Sequence, residues 1–315
     1  MSGRAVRQPC CAVRITGKGE SILFMYRAIF LILLCFTSAL FPAQAAAATA
    51  KQASASAPAL NAPLPDPEQL LARALANEKK IAAEQERYDC RVTDVITQTD
   101  KNGKVKKVST EVRQQFFVNG IPIERILSKN GKALSPGEEK KQNQRVMKET
   151  LKYSNQAAAQ KETNEQNRQV QDFLAAMMLT DGRREIENGR SVLYYTIVPN
   201  PKFRAKNLYQ RFAKVMRGTV SIDERTGEII DFNVKSVANL KLGGGLLANI
   251  HKGLWVHVHN QEQPDGVWLA DLAEGSGSAS ALFFFHPYFQ FKETTGDCRL
   301  YTTSAQQVGQ AKPVN

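Results

Sequence analysis

The chain predicts an α+β fold built on a curved antiparallel sheet with one apolar face. Residues 218–252 carry the first observation. Val220 and Ile222 alternate with Thr219, Ser221 and Asp223, and Ile230, Phe232 and Val234 alternate with Asp231, Asn233 and Lys235. A period of two marks half-buried strands, and the intervening Glu224-Arg225-Thr226-Gly227 supplies a turn. Second, Asn102-Gly103, Asn119-Gly120, Asn130-Gly131 and Asn188-Gly189 punctuate runs of the same kind, and Asn-Gly is the strongest short-range hairpin signal. Third, helical periodicity is confined to separate blocks, as in folds that segregate helices from an antiparallel sheet. The apolar face must shelter something. The chain's own helices and a lipid both remain open.

The first 45 residues are read as an export signal. Arg27 precedes the apolar run 29–41, and Pro42-Ala43-Gln44-Ala45 supplies an A-x-A site with cleavage expected after Ala45. The run is too short for a comfortable membrane span. Met25 stands where such a signal ordinarily begins, so it is expected to be the true start. Removing residues 1–45 takes away Arg4, Arg7, Arg14, Lys18 and Arg27 against Glu20, which lowers the net charge from +12 to +8. That balance suits an anionic envelope surface, although plain solubility explains it equally. An exported protein is not expected to meet nucleic acid. The expected location is the periplasm or another exported compartment. Only Cys90 and Cys298 lie beyond the leader. In an oxidising compartment they are expected to form one disulfide, closing a loop of about two hundred residues worth about 4–5 kcal/mol in loop entropy. The absence of C-x-x-C removes support for thiol redox catalysis.

Residues 46–65 are rich in Ala, Ser and Pro and read as a disordered linker. Asp66-Pro67-Glu68-Gln69 then gives an N-cap, a proline at N1 and a capping glutamine, opening an amphipathic helix to about Tyr88. A hairpin meander covers 88–134. Ser135-Pro136-Gly137-Glu138 opens a charged helical insertion over 135–180, with Val146, Met147, Leu151 and Tyr153 as its few anchors and a weak point near Asn155. Val170, Phe173, Leu174, Met177 and Met178 fall at helical spacing and predict a second helix ending at Asp181-Gly182. Residues 202–217 interleave Lys and Arg with Phe203, Leu208, Tyr209, Phe212 and Val215, which fits a short cationic helix.

Further strands are expected at Trp255–His259 and Val267–Leu269, and Gly275 to Ser280 reads as a small-residue loop or bend. In the run 282–291, Phe283, Phe285, Phe289 and Phe291 share one face, with Pro287 suggesting an edge or bulge. A single domain over 66–302 and a loose tail over 303–315 complete the expected organisation.

Two segments carry a family resemblance. Val220, Ile222, Asp223, Gly227 and Ile229, followed by Val267, Trp268 and Leu269, resemble the outer-membrane lipoprotein-sorting carriers and their exported relatives. The resemblance implies an incomplete, strongly curved β-barrel with helices packed on its concave face. It also implies an apolar cavity for the acyl chain of a lipid or lipoprotein. On that reading the lining is Val220, Ile222, Ile230, Phe232, Val234, Phe283, Phe285, Phe289 and Phe291, with Phe173 and Met177 from the overlying helix. Leu246 and Leu247, after the flexible Gly243-Gly244-Gly245, are the expected gate.

No catalytic constellation is visible: G-x-S-x-G, H-E-x-x-H and a P-loop are all missing. His251, His257 and His259 are read as ordinary strand-face histidines, not metal ligands, and no cofactor is expected. Asp223 and Glu224 are adjacent in a strand, so they point to opposite faces and form no carboxylate pair. The sequence therefore leaves a non-enzymatic envelope protein that binds lipid. Its alternative is an interaction or sensor module on the same fold, its cavity filled by its own helices. Oligomeric state is open.

Overall fold

The computed structural model describes residues 62–242, 248–281 and 288–300. Four helices occur there: α1 (Pro67–Gln85), α2 (Pro136–Ser154), α3 (Gln156–Ala175) and α4 (Leu208–Ala213). Thirteen strands are β1 (Tyr88–Thr99), β2 (Val105–Val118), β3 (Ile121–Lys129), β4 (Lys132–Ala133), β5 (Met177–Glu187), β6 (Arg190–Pro199), β7 (Met216–Asp223), β8 (Ile229–Ser236), β9 (Leu240–Leu242), β10 (Ala248–Ile250), β11 (Trp255–Glu262), β12 (Trp268–Ala281) and β13 (Tyr288–Leu300). The fold is α+β, with one large open antiparallel sheet in the order β4-β3-β2-β1-β13-β12-β11-β8-β7-β6-β5. Short β9 and β10 extend the edge of β12 beyond β11, with Ile250 opposite Ala279.

Local chemistry places the turns and helix starts. Asn119, Asn130 and Asn188 have positive φ, as do the glycines that follow them. Two successive left-handed residues make the tight turns that match strand twist. At the head of α1, the Asp66 carboxylate accepts from the backbone N–H groups of Glu68 and Gln69, both at 2.9 Å. Ser135 and Glu138 form a reciprocal capping box on α2. Asn155 ends α2 and caps α3 through Ala158 N–H, so the weak point predicted there is a true helix break.

Several elements depart from the sequence reading. The second helix of the insertion stops at Ala175, and Met177 begins β5, because the chain there pairs with β6 from Met177–Pro199 onward. Only Leu208–Ala213 of the basic segment is helical, and Met216 already belongs to β7. Residues 275–280 are strand, not loop. Their small side chains have a packing reason: a Cβ on Gly275 would strike the Trp255 carbonyl and the Phe291 ring, and one on Gly277 would lie 2.6 Å from Leu254. A register shift between Ser221 and Ile222 sends Ile229 into the core, leaving Ile230 half-buried at the bulge.

The main core lies where α1, α3 and α4 cover one face of the sheet. Leu70, Phe173 and Phe212 from the helices meet Leu193, Val220, Phe232, Val234 and Val256 from the strands. Phe173 sits 6.3 Å from Phe212 and 6.4 Å from Phe232, ring centre to ring centre. A smaller cluster joins Tyr88, Cys90, Val267 and Leu269, and beside it Cys90 is bonded to Cys298 across 208 residues. The pairing expected of Cys90 and Cys298 is therefore present.

Candidate functional site

The residues expected to line a cavity are in the packed core. Val220, Ile222, Phe232, Val234, Phe289, Phe173 and Met177 are all buried within the main cluster, and Phe291 packs against it. Ile230 does not belong to that cluster. Phe283, Phe285, Leu246 and Leu247 lie outside the described residues. The structure thus brings most of the predicted lining together, packed against Leu70 and Phe212 from the helices.

An open cleft of about 1020 Å³ lies elsewhere, between α2 and the corner where β2 turns into β3. Phe116, Phe117 and Val118 end β2 and form its apolar strand wall. Val146, Met147 and Leu151 face it from α2. Val146 is buried, whereas Met147 and Leu151 are 60% and 68% exposed. Met147 and Leu151, four residues apart on one helix face, are thus left open to solvent beside a phenylalanine wall.

Polar anchors hold α2 in place. The Gln142 amide, oriented so that its oxygen accepts, takes the Ile126 N–H at 2.8 Å. Arg145 donates to the Glu124 carbonyl and to the Glu149 carboxylate, the latter at 2.7 Å. At the other end Asn119 donates to the Tyr153 carbonyl at 2.7 Å. These bonds fix the helix across β3 without filling the apolar gap beside it.

No protein-family model matches the chain. No curated protein matches it either.

Charged groups complete the cleft. Arg125 from β3, Lys140 and Glu139 from α2, and Glu86 after α1 all belong to its lining. Burial pushes the Glu86 carboxyl up to about 7, so near neutrality it exchanges its proton readily. An acid with that pKa beside an apolar wall can tune ligand charge preference.

The sheet's opposite face carries the histidines. His257 lies 2.7 Å from Asp231 and 3.3 Å from Glu274, and His259 lies 2.6 Å from Asp271. Burial opposes protonation of His257, but the hydrogen bonds and charges of Asp231 and Glu274 outweigh it and raise the pKa. Among the described residues no group of three His, Cys, Asp or Glu side chains has a geometry that could hold a metal ion.

Sequence reasoning singled out Val146, Met147 and Leu151 as anchors of a polar helix, not as a ligand surface. It passed over Phe116-Phe117-Val118 altogether. The available signal was the run itself: three consecutive large apolar residues at a strand end cannot all face one core, since alternate side chains point to opposite faces.

Proposed function

We propose that this is a non-catalytic binding protein of the cell envelope that takes up the acyl chain of a lipid or lipoprotein in the α2 cleft. One observation carries the reading: the apolar cleft beside solvent-exposed Met147 and Leu151, with charged side chains in its lining. Its volume matches the upper end of small-ligand pockets, about 300–1,000 Å³. At about 0.8 kcal/mol per methylene, a dozen buried methylenes contribute about 10 kcal/mol. Association costs at least about 4 kcal/mol, which leaves an affinity of tens of micromolar from the chain alone. The export signal and the disulfide support a periplasmic or otherwise exported setting. The positive mature chain suits a neighbouring anionic surface. The half-barrel of the sorting carriers remains the fold this reading favours, with its sheet face occupied by helices and the ligand taken at the side.

A second reading has its own support. Leu70, Phe173 and Phe212 from the helices pack against the strand side chains of the main core, as expected of an interaction module. Titration of the purified protein with a fluorescent fatty acid separates the two. Saturable binding that the double variant Met147→Asp, Leu151→Asp abolishes, at unchanged thermal stability, is the expected result. Absence of binding, or binding that survives the double variant, would overturn the acyl-chain reading in this cleft.

A further inference from the structure

The cleft contains an arginine whose situation is unlike that of the other sheltered arginines. Arg113 is ion-paired to Asp94, Glu124 and Glu293, Arg145 to Glu149, and Arg184 to Glu224. Arg125 is half-buried in the cleft lining, and its side chain makes no hydrogen bond or ion pair with any of the described residues. A guanidinium cannot lose its proton at ordinary pH, and a partly desolvated one without an anion is costly. Lys140, on the first turns of α2, lines the same cleft and likewise makes no such contact among the described residues. The opposing charges are Glu139, exposed on α2, and Glu86, whose carboxyl burial raises to about 7, so that it is largely uncharged only below neutrality. Two cations whose side chains have no partner among the described residues thus sit beside an open apolar wall.

We propose that the cleft selects an anionic amphiphile, a carboxylate- or phosphate-headed acyl compound, whose charged oxygens meet Arg125 and Lys140 while its chain lies against Phe116, Phe117, Met147 and Leu151. This rests on the acyl-binding reading above and adds the headgroup to it. The planar fork of Arg125 suits two oxygens of either headgroup, and Lys140 adds a point charge.

Competition against a neutral fluorescent acyl probe tests the idea on the full-length mature protein, using dodecanoate, dodecyl phosphate, dodecanol and dodecyltrimethylammonium. The expected order places both anions about tenfold or more ahead of the alcohol, with the cation weakest, a difference one charge-assisted contact supplies. Arg125→Gln should bring the anions level with the alcohol while alcohol binding stays as it was, and Arg125→Lys should keep most of the preference. The ranking of dodecanoate against dodecyl phosphate then assigns the headgroup. If the alcohol competes as well as the anions, or Arg125→Gln keeps their advantage, the headgroup assignment fails while acyl binding stands. If no acyl probe binds, both readings fail.

Discussion

Glu86 shows how one residue can set the pH response of the molecule. Its carboxyl titrates at about 7 in the fold against 4.5 in an open chain, so the folded state holds the proton more tightly. Stability from this group is complete below pH 4.5 and is lost as pH rises through about 7. Glu86→Gln should therefore flatten the decline of unfolding midpoint between pH 4.5 and 7 and leave the variant more stable than the parent above that window. Parallel thermal melts of the two proteins across that range check it, and identical slopes would contradict it. Asp94 and Glu293 are also raised, mainly by burial, so the parent carries additional slope of the same sign. Glu224 is held low by its hydrogen bonds to Arg184 and loses its contribution only on acidification. Individual positions were unevenly legible. The alternation of Val220 and Ile222 placed both correctly on the buried face. The same alternation misplaced Ile230, because a bulge shifts the register by one and pattern alone does not reveal a bulge. Gly218 is similarly silent in sequence, although a Cβ there would collide with the Asn233 carbonyl on the neighbouring strand.

At the scale of elements, β13 is the seam of the sheet. The N-terminal meander β4-β3-β2-β1 joins the remaining strands through β13, the last strand described, which lies between β1 and β12. Two devices hold that seam. Arg113 on β2 reaches Asp94 on β1, Glu124 on β3 and Glu293 on β13 at 2.6, 2.7 and 2.5 Å, bridging four strands with one guanidinium. Burial, helped by the neighbouring Asp94 and Glu124 carboxylates and opposed by Arg113, raises the Glu293 carboxyl well above the usual carboxylate range. The Cys90–Cys298 bond closes the other part of the seam. Replacing both cysteines by alanine should lower stability by about 2–5 kcal/mol. Urea denaturation checks it, and an unchanged midpoint, or a mass that does not rise by two hydrogens on reduction of the parent, would contradict it. The cysteine pairing was legible because only two cysteines, Cys90 and Cys298, follow residue 35. The order of the other strands was not, because no local pattern encodes a non-local neighbour such as β8 beside β11.

For the whole molecule, two apolar regions of the sheet have different fates. Leu70, Phe173 and Phe212 fill the face of the strands in the chain's second half, which gives a packed core. Over β2 and β3 the cover is α2, which buries Val146 but leaves Met147 and Leu151 outward beside Phe116 and Phe117. The sheet and its helices followed from periodicity, capping residues and Asn-Gly turns. The cleft did not, since it depends on where a mostly polar helix comes to rest. Arg145, Gln142 and Asn119 settle that position through backbone contacts that leave no mark in the hydrophobic pattern. Photo-crosslinking the protein with a diazirine-bearing fatty acid, followed by peptide mapping, tests most directly whether the cleft is the ligand site. Label concentrated on the peptides containing Phe116–Val118 and Met147–Leu151, and displaced by unlabelled fatty acid, is the predicted result. Label on the core strands around Val220 and Phe232, or no displaceable label, would contradict the account.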